Sequence, residues 1–435
     1  MKTVPVTIIG GGLAGCEAAW QILRKGIPVE LYEMKPLLYS EAHRSPHLAE
    51  LVCSNSFRSE NPETAIGLLK EEMKLADSLV MSAAFASRIP AGKALAVDRL
   101  KFSLHVETSL LLHDDFHLYR EEVTEIPEDR ICIIATGPLT SEGLSKTISE
   151  LTGQEYLYFY DAISPIIEAD SISSDAIFQA SRYTEGEGDY LNCPLSIEEY
   201  ENFCNEIIGG REIPFRDFED ATFFEGCLPI EVMAKRGRET LRFGPMKPVG
   251  LIDPKTGQQP YAVIQLRREN KEASLYNMVG FQTKLAWPEQ KRIFRMIQGL
   301  EKAEFARFGS IHRNTFINAP LLLRKSLQLK NKNNVLFAGQ ITGVEGYLES
   351  SAMGVWAGLS ATKLISGETP FPPPVTTAFG ALVRHITETC SKSFQPMNIN
   401  FGLFPQLEGR IKKSERGLRY KARALDDFRA WMHSY

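Results

Sequence analysis

Two hydrophobic periods alternate along this chain, and its first residues contain both. Val6-Thr-Ile-Ile9 is a short apolar run closed by three glycines, the residues after Gly12 have helical spacing, and Val29-Glu-Leu-Tyr-Glu33 is a second strand ending in an acid. Gly10, Gly12 and Gly15 make the G-x-G-x-x-G spacing, with Gly11, Leu13 and Ala14 completing the turn. In such a βαβ unit the first glycine permits the tight turn and the second lets backbone approach a pyrophosphate. The third lets helix and strand pack closely. The helix N-terminus offers unpaired N–H groups to phosphate. Glu33, 23 residues after Gly10, stands near the offset at which an acid bonds a ribose hydroxyl. A dinucleotide site is expected here.

The same reading continues along the chain. Lys35 to Pro62 is polar and reads as a loop with one short helix. Ala65 to Ala84 reads as one helix, with Lys70, Glu71 and Glu72 facing water, and Asp98 as the N-cap of the next. Arg130 to Gly137 is a buried strand ending in glycine, either an ordinary strand and turn or a place where backbone passes close to a ligand. From about Tyr183 to Gly309 charge density rises around strands such as Tyr261 to Leu266, which reads as an inserted domain. Asn334 to Gly346 returns to the strand–glycine–helix pattern, followed by a small-residue helix from Ser350 to Ile365. The expected division is residues 1–185 for the first part of a nucleotide-binding domain, 186–310 for the insertion, and 311–435 for the second part. Phe371-Pro-Pro-Pro374 is a stiff connector, and Glu408 to Arg429 carries eight Lys/Arg against four acids.

Composition narrows the class. The 435 residues are 43% apolar and 24% charged, with net charge −5, so no global basic field advertises nucleic acid. Seven cysteines without a C-x-x-C pair suggest reduced thiols in the cytoplasm, with neither a metal site nor a disulfide framework. The glycine-interrupted start is no signal peptide, and no apolar run is long enough to span a membrane.

Two cysteines stand in unusual surroundings. Cys227 lies between a glycine and a proline in Phe224-Glu-Gly-Cys-Leu-Pro-Ile-Glu231, and Cys53 precedes Ser-Asn-Ser with Arg58 nearby. Each is open to two readings, an activated thiolate or a buried small side chain. Cys16 and Cys132 are expected in the core. Arg236, Arg238, Arg242, Lys247, Arg267 and Arg268, interleaved with aromatic residues, suit either phosphate contacts and base stacking or a solvated face.

At these residues the sequence closely resembles the bacterial folate- and FAD-dependent tRNA (uracil-5-)-methyltransferases, the TrmFO family, related to the GidA flavoproteins. The resemblance runs nearly end to end. It covers Ile8-Ile-Gly-Gly-Gly-Leu-Ala-Gly15, Ala49-Glu-Leu-Val-Cys-Ser-Asn-Ser56, Tyr160-Asp-Ala-Ile-Ser-Pro165, the Cys227 segment, Thr240-Leu-Arg-Phe-Gly-Pro-Met-Lys-Pro-Val-Gly250, Val279-Gly-Phe-Gln-Thr283 and Gln395-Pro-Met-Asn-Ile-Asn-Phe-Gly-Leu403. It departs at Lys93, where glycine is usual, and at Arg44-Ser-Pro46.

The resemblance implies an α/β fold, a Rossmann-like FAD-binding domain of the glutathione-reductase type with a smaller inserted α+β domain. It implies FAD as the dinucleotide, closed in by Thr136, Gly137, Gly339, Gln340 and Gly346. It implies formation of 5-methyluridine at uridine 54 of the tRNA T-loop, with carbon from 5,10-methylenetetrahydrofolate and electrons from NADPH or NADH. Cys227 would add to uracil C6 and Cys53 would assist near the flavin. No membrane or stable protein partner is expected. Rival readings are the wobble-uridine flavoprotein, whose long helical C-terminal extension is not seen here, the same chemistry on ribosomal RNA, and a plain NAD(P)H–flavin oxidoreductase.

Overall fold

The computed structural model describes residues 4–154, 156–182, 188–214, 223, 228–409 and 411–435, with the backbone alone of Lys413. Strand Val6–Ile9 is buried along its whole length, as its unbroken apolar run requires. It pairs in parallel with Val29–Tyr32 on one side and Cys132–Ile134 on the other. The full sheet has the order Gln328–Leu329, Lys332–Phe337, Cys132–Ile134, Val6–Ile9, Val29–Tyr32, Phe116–Tyr119, antiparallel only at its first pair. The strand from the far end of the chain therefore completes the sheet begun by the first.

Helix Leu13–Leu23 packs on helix Tyr347–Ile365 through small residues. A Cβ added at Gly358 would lie 2.8 Å from Ala18 O, so the two backbones touch where larger side chains would separate them. The expected single helix from 65 to 84 is instead two, Ala65–Leu75 and Leu79–Ala86. Asp77 at φ +51° breaks the path and Ser78 caps the second helix, its Oγ accepting from Met81 N–H. Lys70 and Glu72 do not face water. Lys70 Nζ donates to Ser59 O at 2.6 Å. Glu72 accepts from Ala378 and Phe379 N–H at 2.7 and 3.0 Å, at the start of helix Ala378–Glu388. The polar stretch from Lys35 to Pro62 holds no helix but contributes strand Ser56–Ser59 to a small sheet with Ala94–Val97 and Arg88–Ile89. Asp98 does cap helix Arg99–Leu111, accepting from Lys101 N–H at 3.0 Å.

A second, antiparallel sheet runs in the order Phe178–Ala180, Tyr190–Leu195, Ala262–Arg268, Leu275–Met278, Ile166–Glu168, Phe305–Arg307. Two of its strands thus lie before residue 186. Its apolar core is separate from that of the parallel sheet. Between them the ladder of Leu157–Ile163 with Ser310–Phe316 carries the chain out and back. The C-terminal helix Arg416–Met432 buries Phe428 and Trp431 against Phe379 and Trp356. Trp431 Nε1 donates to Phe371 O at 2.9 Å, which pins the proline connector.

Candidate functional site

The two sheets meet at a cavity of about 460 Å³, floored by the glycine turn and the C-terminal ends of the parallel strands. This is where ligands bind in open α/β folds. Gly10 has φ +107°, and a Cβ there would lie 2.6 Å from Ala135 O. Only glycine fits. Gly12 is the opposite case: a Cβ would meet no protein atom within 4 Å, so its backbone is bare toward the cavity. Gly15 faces away, packed on Gly10 O, and is the one residue of the fingerprint that does not line the cavity. Gly11, Leu13 and Ala14 line it. Glu33 is buried, with Oε2 accepting from Gly11 N–H at 2.9 Å and Oε1 from Lys35 N–H at 3.0 Å. Its carboxylate anchors the turn and faces the cavity with its remaining lone pairs. Thr136, Gly137, Gly339, Gln340 and Gly346 line the same space from far along the chain. Gln340 Nε2 donates to Glu345 Oε2 at 2.6 Å. Burial, with Asp161 nearby, holds the Glu345 carboxyl well above the usual carboxylate range.

Cys53 lies in the wall of the same cavity, on a loop held from several directions. Tyr347 Oη accepts from the N–H groups of Cys53 and Ser54 at 2.8 and 3.0 Å. Arg99 donates to Leu51, Val52 and Cys53 carbonyls, and Arg307 to Val52 O. Arg267 donates to Asn55 Oδ1 at 2.9 Å and Ser54 Oγ at 2.8 Å. Several buried polar atoms are left without a protein partner: Asn277 Nδ2, His312 Nδ1, and Nε and one terminal nitrogen of Arg307. Such groups are costly to bury unsatisfied, so a polar ligand or water is expected to take them. Burial pushes the His312 imidazole down to about 4 and the Arg307 guanidinium down to about 10. His312 and Asn277 line the cavity, and sequence reasoning missed both. The strand pattern Ser310-Ile-His-Arg-Asn-Thr-Phe316, with buried His and Asn at alternate positions, carried the only available hint.

Cys227 lies outside the described residues. The basic residues scatter. Arg236 and Arg238 are exposed, whereas Arg242 is spent on Glu239, Tyr261 O and the Tyr261 ring, 4.3 Å from its centroid. Lys247 and Arg268 are half-buried, and Arg267 is a cavity residue with 7% exposure, so it belongs to no open basic face.

A bare Gly12 at a helix N-terminus, an acid beside the turn and orphaned donors at the far end suit a long phosphate-bearing cofactor with a polar ring system. Among the described residues no helix is long and apolar enough to cross a membrane.

The model of the glucose inhibited division protein A (GIDA) family matches residues 5–369. The chain is 62% identical over 431 residues to the methylenetetrahydrofolate–tRNA-(uracil-5-)-methyltransferase TrmFO of Syntrophus aciditrophicus, covering 99% of this chain and 98% of that protein. It is 59% identical over 431 residues to the protein of the same name from Geobacter sulfurreducens, covering 99% of each. Among solved structures, Aquifex aeolicus GidA in its form I crystal aligns at TM-score 0.70 and 16% identity, covering 98% of this chain and 76% of that one. That likeness establishes the FAD-type Rossmann fold alone. With its Cys53 loop, glycine turn and nearly full-length identity to these relatives, the chain belongs to the TrmFO family, within the wider GidA family.

Proposed function

We propose that this protein is a methylenetetrahydrofolate- and FAD-dependent tRNA methyltransferase that makes 5-methyluridine at uridine 54 of the T-loop, with NADPH or NADH as reductant, in the cytoplasm. The observation that carries the reading is that Cys53 shares one cavity with the dinucleotide cradle. The names of the relatives at 62% and 59% identity support it.

When bound, FAD supplies two electrons and carries the one-carbon unit from folate. Gly10 to Gly12 and the first turn of helix Leu13–Leu23 would hold the pyrophosphate, and Glu33 the ribose. Uracil C5 is a poor nucleophile until C6 is attacked. The Cys227 thiolate forms a sulfur–C6 bond, the C5–C6 π pair moves into an enolate, and C5 becomes able to take carbon. Loss of the C5 proton later returns the electron pair and expels the thiolate. Described residues near Cys227 in sequence contact residues beside or in the cavity. Phe223 bridges to Tyr160, next to the cavity residue Asp161, and Ile230 N–H donates to O of the cavity residue Gln282 at 2.7 Å. Cys53 assists beside the transferred carbon, its loop held by Tyr347 and Arg99.

The test is incubation with undermodified tRNA, methylenetetrahydrofolate and NADPH, followed by nucleoside analysis. Folate-dependent 5-methyluridine at position 54 is expected. No product, or product without folate, sinks the reading. Cys227→Ala should abolish methylation and covalent trapping by 5-fluorouridine RNA; trapping that persists assigns the nucleophile elsewhere.

A further inference from the structure

We propose that the C-terminal basic segment, from Lys412 to Arg423, is the surface that grips the phosphate backbone of the substrate RNA. This rests on the tRNA methyltransferase reading and adds to it a docking site outside the cavity and outside the inserted domain. Residues 410–423 contain seven Lys/Arg and one acid, Glu415, in a chain whose net charge is −5. So dense a local reversal of sign focuses a positive field.

The two basic regions differ in how many of their cations are held by carboxylates. In the inserted domain several of the cations are neutralised at short range. Lys235 pairs with Glu212 at 2.5 Å, Arg242 with Glu239 at 3.0 Å, Arg292 with Glu206 at 2.5 Å, and Arg295 with Glu304 at 2.8 Å. A guanidinium already holding a carboxylate has little net charge left for a phosphate. In the C-terminal segment Lys412, Arg416 and Arg419 are exposed and make no ion pair among the described residues. Arg423 donates only to the Pro405 and Gln406 carbonyls, which keeps its full charge. The acids nearest them in the chain are Glu415, then Asp426 and Asp427 further along the same helix, and the Glu63 backbone packs on Gly417.

The platform is rigid and well placed. Arg416, Arg419 and Arg423 fall at i, i+3 and i+7 on one face of helix Arg416–Met432, whose other face buries Ala424, Leu425, Phe428 and Trp431. Two short runs join it to the cavity wall. Arg58 lines the cavity, and five residues on, Glu63 O packs against Gly417. Asn398 also lines it, and three residues on, the Phe401 ring stacks on Tyr420 with centroids 4.5 Å apart. Five residues span at most about 18 Å, so an RNA arm with one base in the cavity reaches the strip with its flanking phosphates.

The experiment uses the full-length flavin-loaded protein and an unmodified tRNA transcript. The K412Q/R416Q/R419Q variant should bind with a log affinity–log salt slope shallower by about 2–3, and at about 0.1 M salt at least about tenfold more weakly. KM for tRNA should rise with kcat nearly unchanged, while flavin content and RNA-free NADPH oxidation stay as in the parent. Should the triple variant fold poorly, R419Q alone should lower the slope by about 1. An unchanged slope and KM overturn the inference and leave the methyltransferase reading standing. A parent protein that neither binds nor methylates tRNA overturns both. Loss of binding to phosphatidylserine-rich vesicles with tRNA affinity intact would assign the strip to a membrane surface and also overturn it.

Discussion

Gly10 and Gly12 are two residues apart in one turn, and the same substitution should fail in them for different reasons. At Gly12 an alanine methyl meets no protein atom within 4 Å, and φ −77° suits any residue. Replacing glycine by alanine at an N-cap costs about 0.5–1 kcal/mol, and the stiffer unfolded chain returns about 0.4–1 kcal/mol. The apoprotein should therefore melt within about 1 °C of the parent, since about 1 kcal/mol shifts a domain of 150–250 residues by roughly 2–4 °C. Flavin binding should suffer instead, because the methyl would stand in the bare space at the helix N-terminus that a pyrophosphate would enter. Losing one or two hydrogen bonds to a charged group, about 1.5–3 kcal/mol each, lowers affinity by roughly ten- to a hundredfold or more. Gly10→Ala acts on the fold. Its φ of +107° costs an L-residue about 1–3 kcal/mol, and a Cβ 2.6 Å from Ala135 O must push strand and turn apart, adding about 1–3 kcal/mol. The apoprotein should lose roughly 2–6 kcal/mol of stability. Thermal melts of deflavinated protein and FAD titration by fluorescence quenching separate the two effects. A Gly12→Ala protein that binds FAD like the parent, or a Gly10→Ala apoprotein as stable as the parent, refutes the account of the turn.

Other perturbations follow from the same geometry. Tyr347→Phe removes the acceptor of two N–H groups in the Cys53 loop; urea unfolding should register a loss of about 2 kcal/mol and methylation should slow, whereas parent-like values for both would free the loop from Tyr347. Glu72→Ala strips the buried cap from helix Ala378–Glu388 and should cost about 2–4 kcal/mol, a change under about 0.5 kcal/mol counting against the cap. His312 takes its proton near 6.5 when unfolded but only near 4 when folded, so its contribution is full above pH 6.5 and is lost as pH falls through 4, about 3 kcal/mol in all. Glu345, whose carboxyl is shifted upward by burial, works in the opposite direction, so the measurement is the difference between parent and His312→Gln across pH 7.5 to 4. Parallel curves would show that His312 titrates normally.

The parts of the site that could be read from sequence are those whose chemistry is local. A turn built to touch pyrophosphate needs glycines at fixed spacing, so Gly10, Gly12 and Gly15 stand out within six residues, and Glu33 follows one strand later. Asp77-Ser78 illustrates a local cue outweighed by a longer pattern: the apolar period runs through it, yet a serine able to cap and an aspartate able to turn left-handed break the helix. Glu72 has no local cue. Its partner is the start of a helix some 306 residues later, and nothing in its own segment distinguishes a buried cap from a solvated charge. His312, Asn277 and Arg307 were missed for a related reason: they matter because each has a buried polar atom without a partner in the protein.

Charge exposes the same limit most sharply. The inserted domain and the C-terminal segment both look basic when residues are counted, but a count does not record which cations are spent. Arg267 reads as a surface cation beside Arg268, yet it is buried against Asn55 and Ser54 and faces the cavity. Arg292 and Arg295 add to the basic count, yet each holds a glutamate within 2.8 Å. The residues between Lys412 and Arg423 escape this because their segment contains almost no acid to pair with. Counterion release scales with the phosphates a protein can neutralise. The unpaired strip, and not the larger basic count elsewhere, is therefore the region whose removal should flatten the salt dependence of RNA binding.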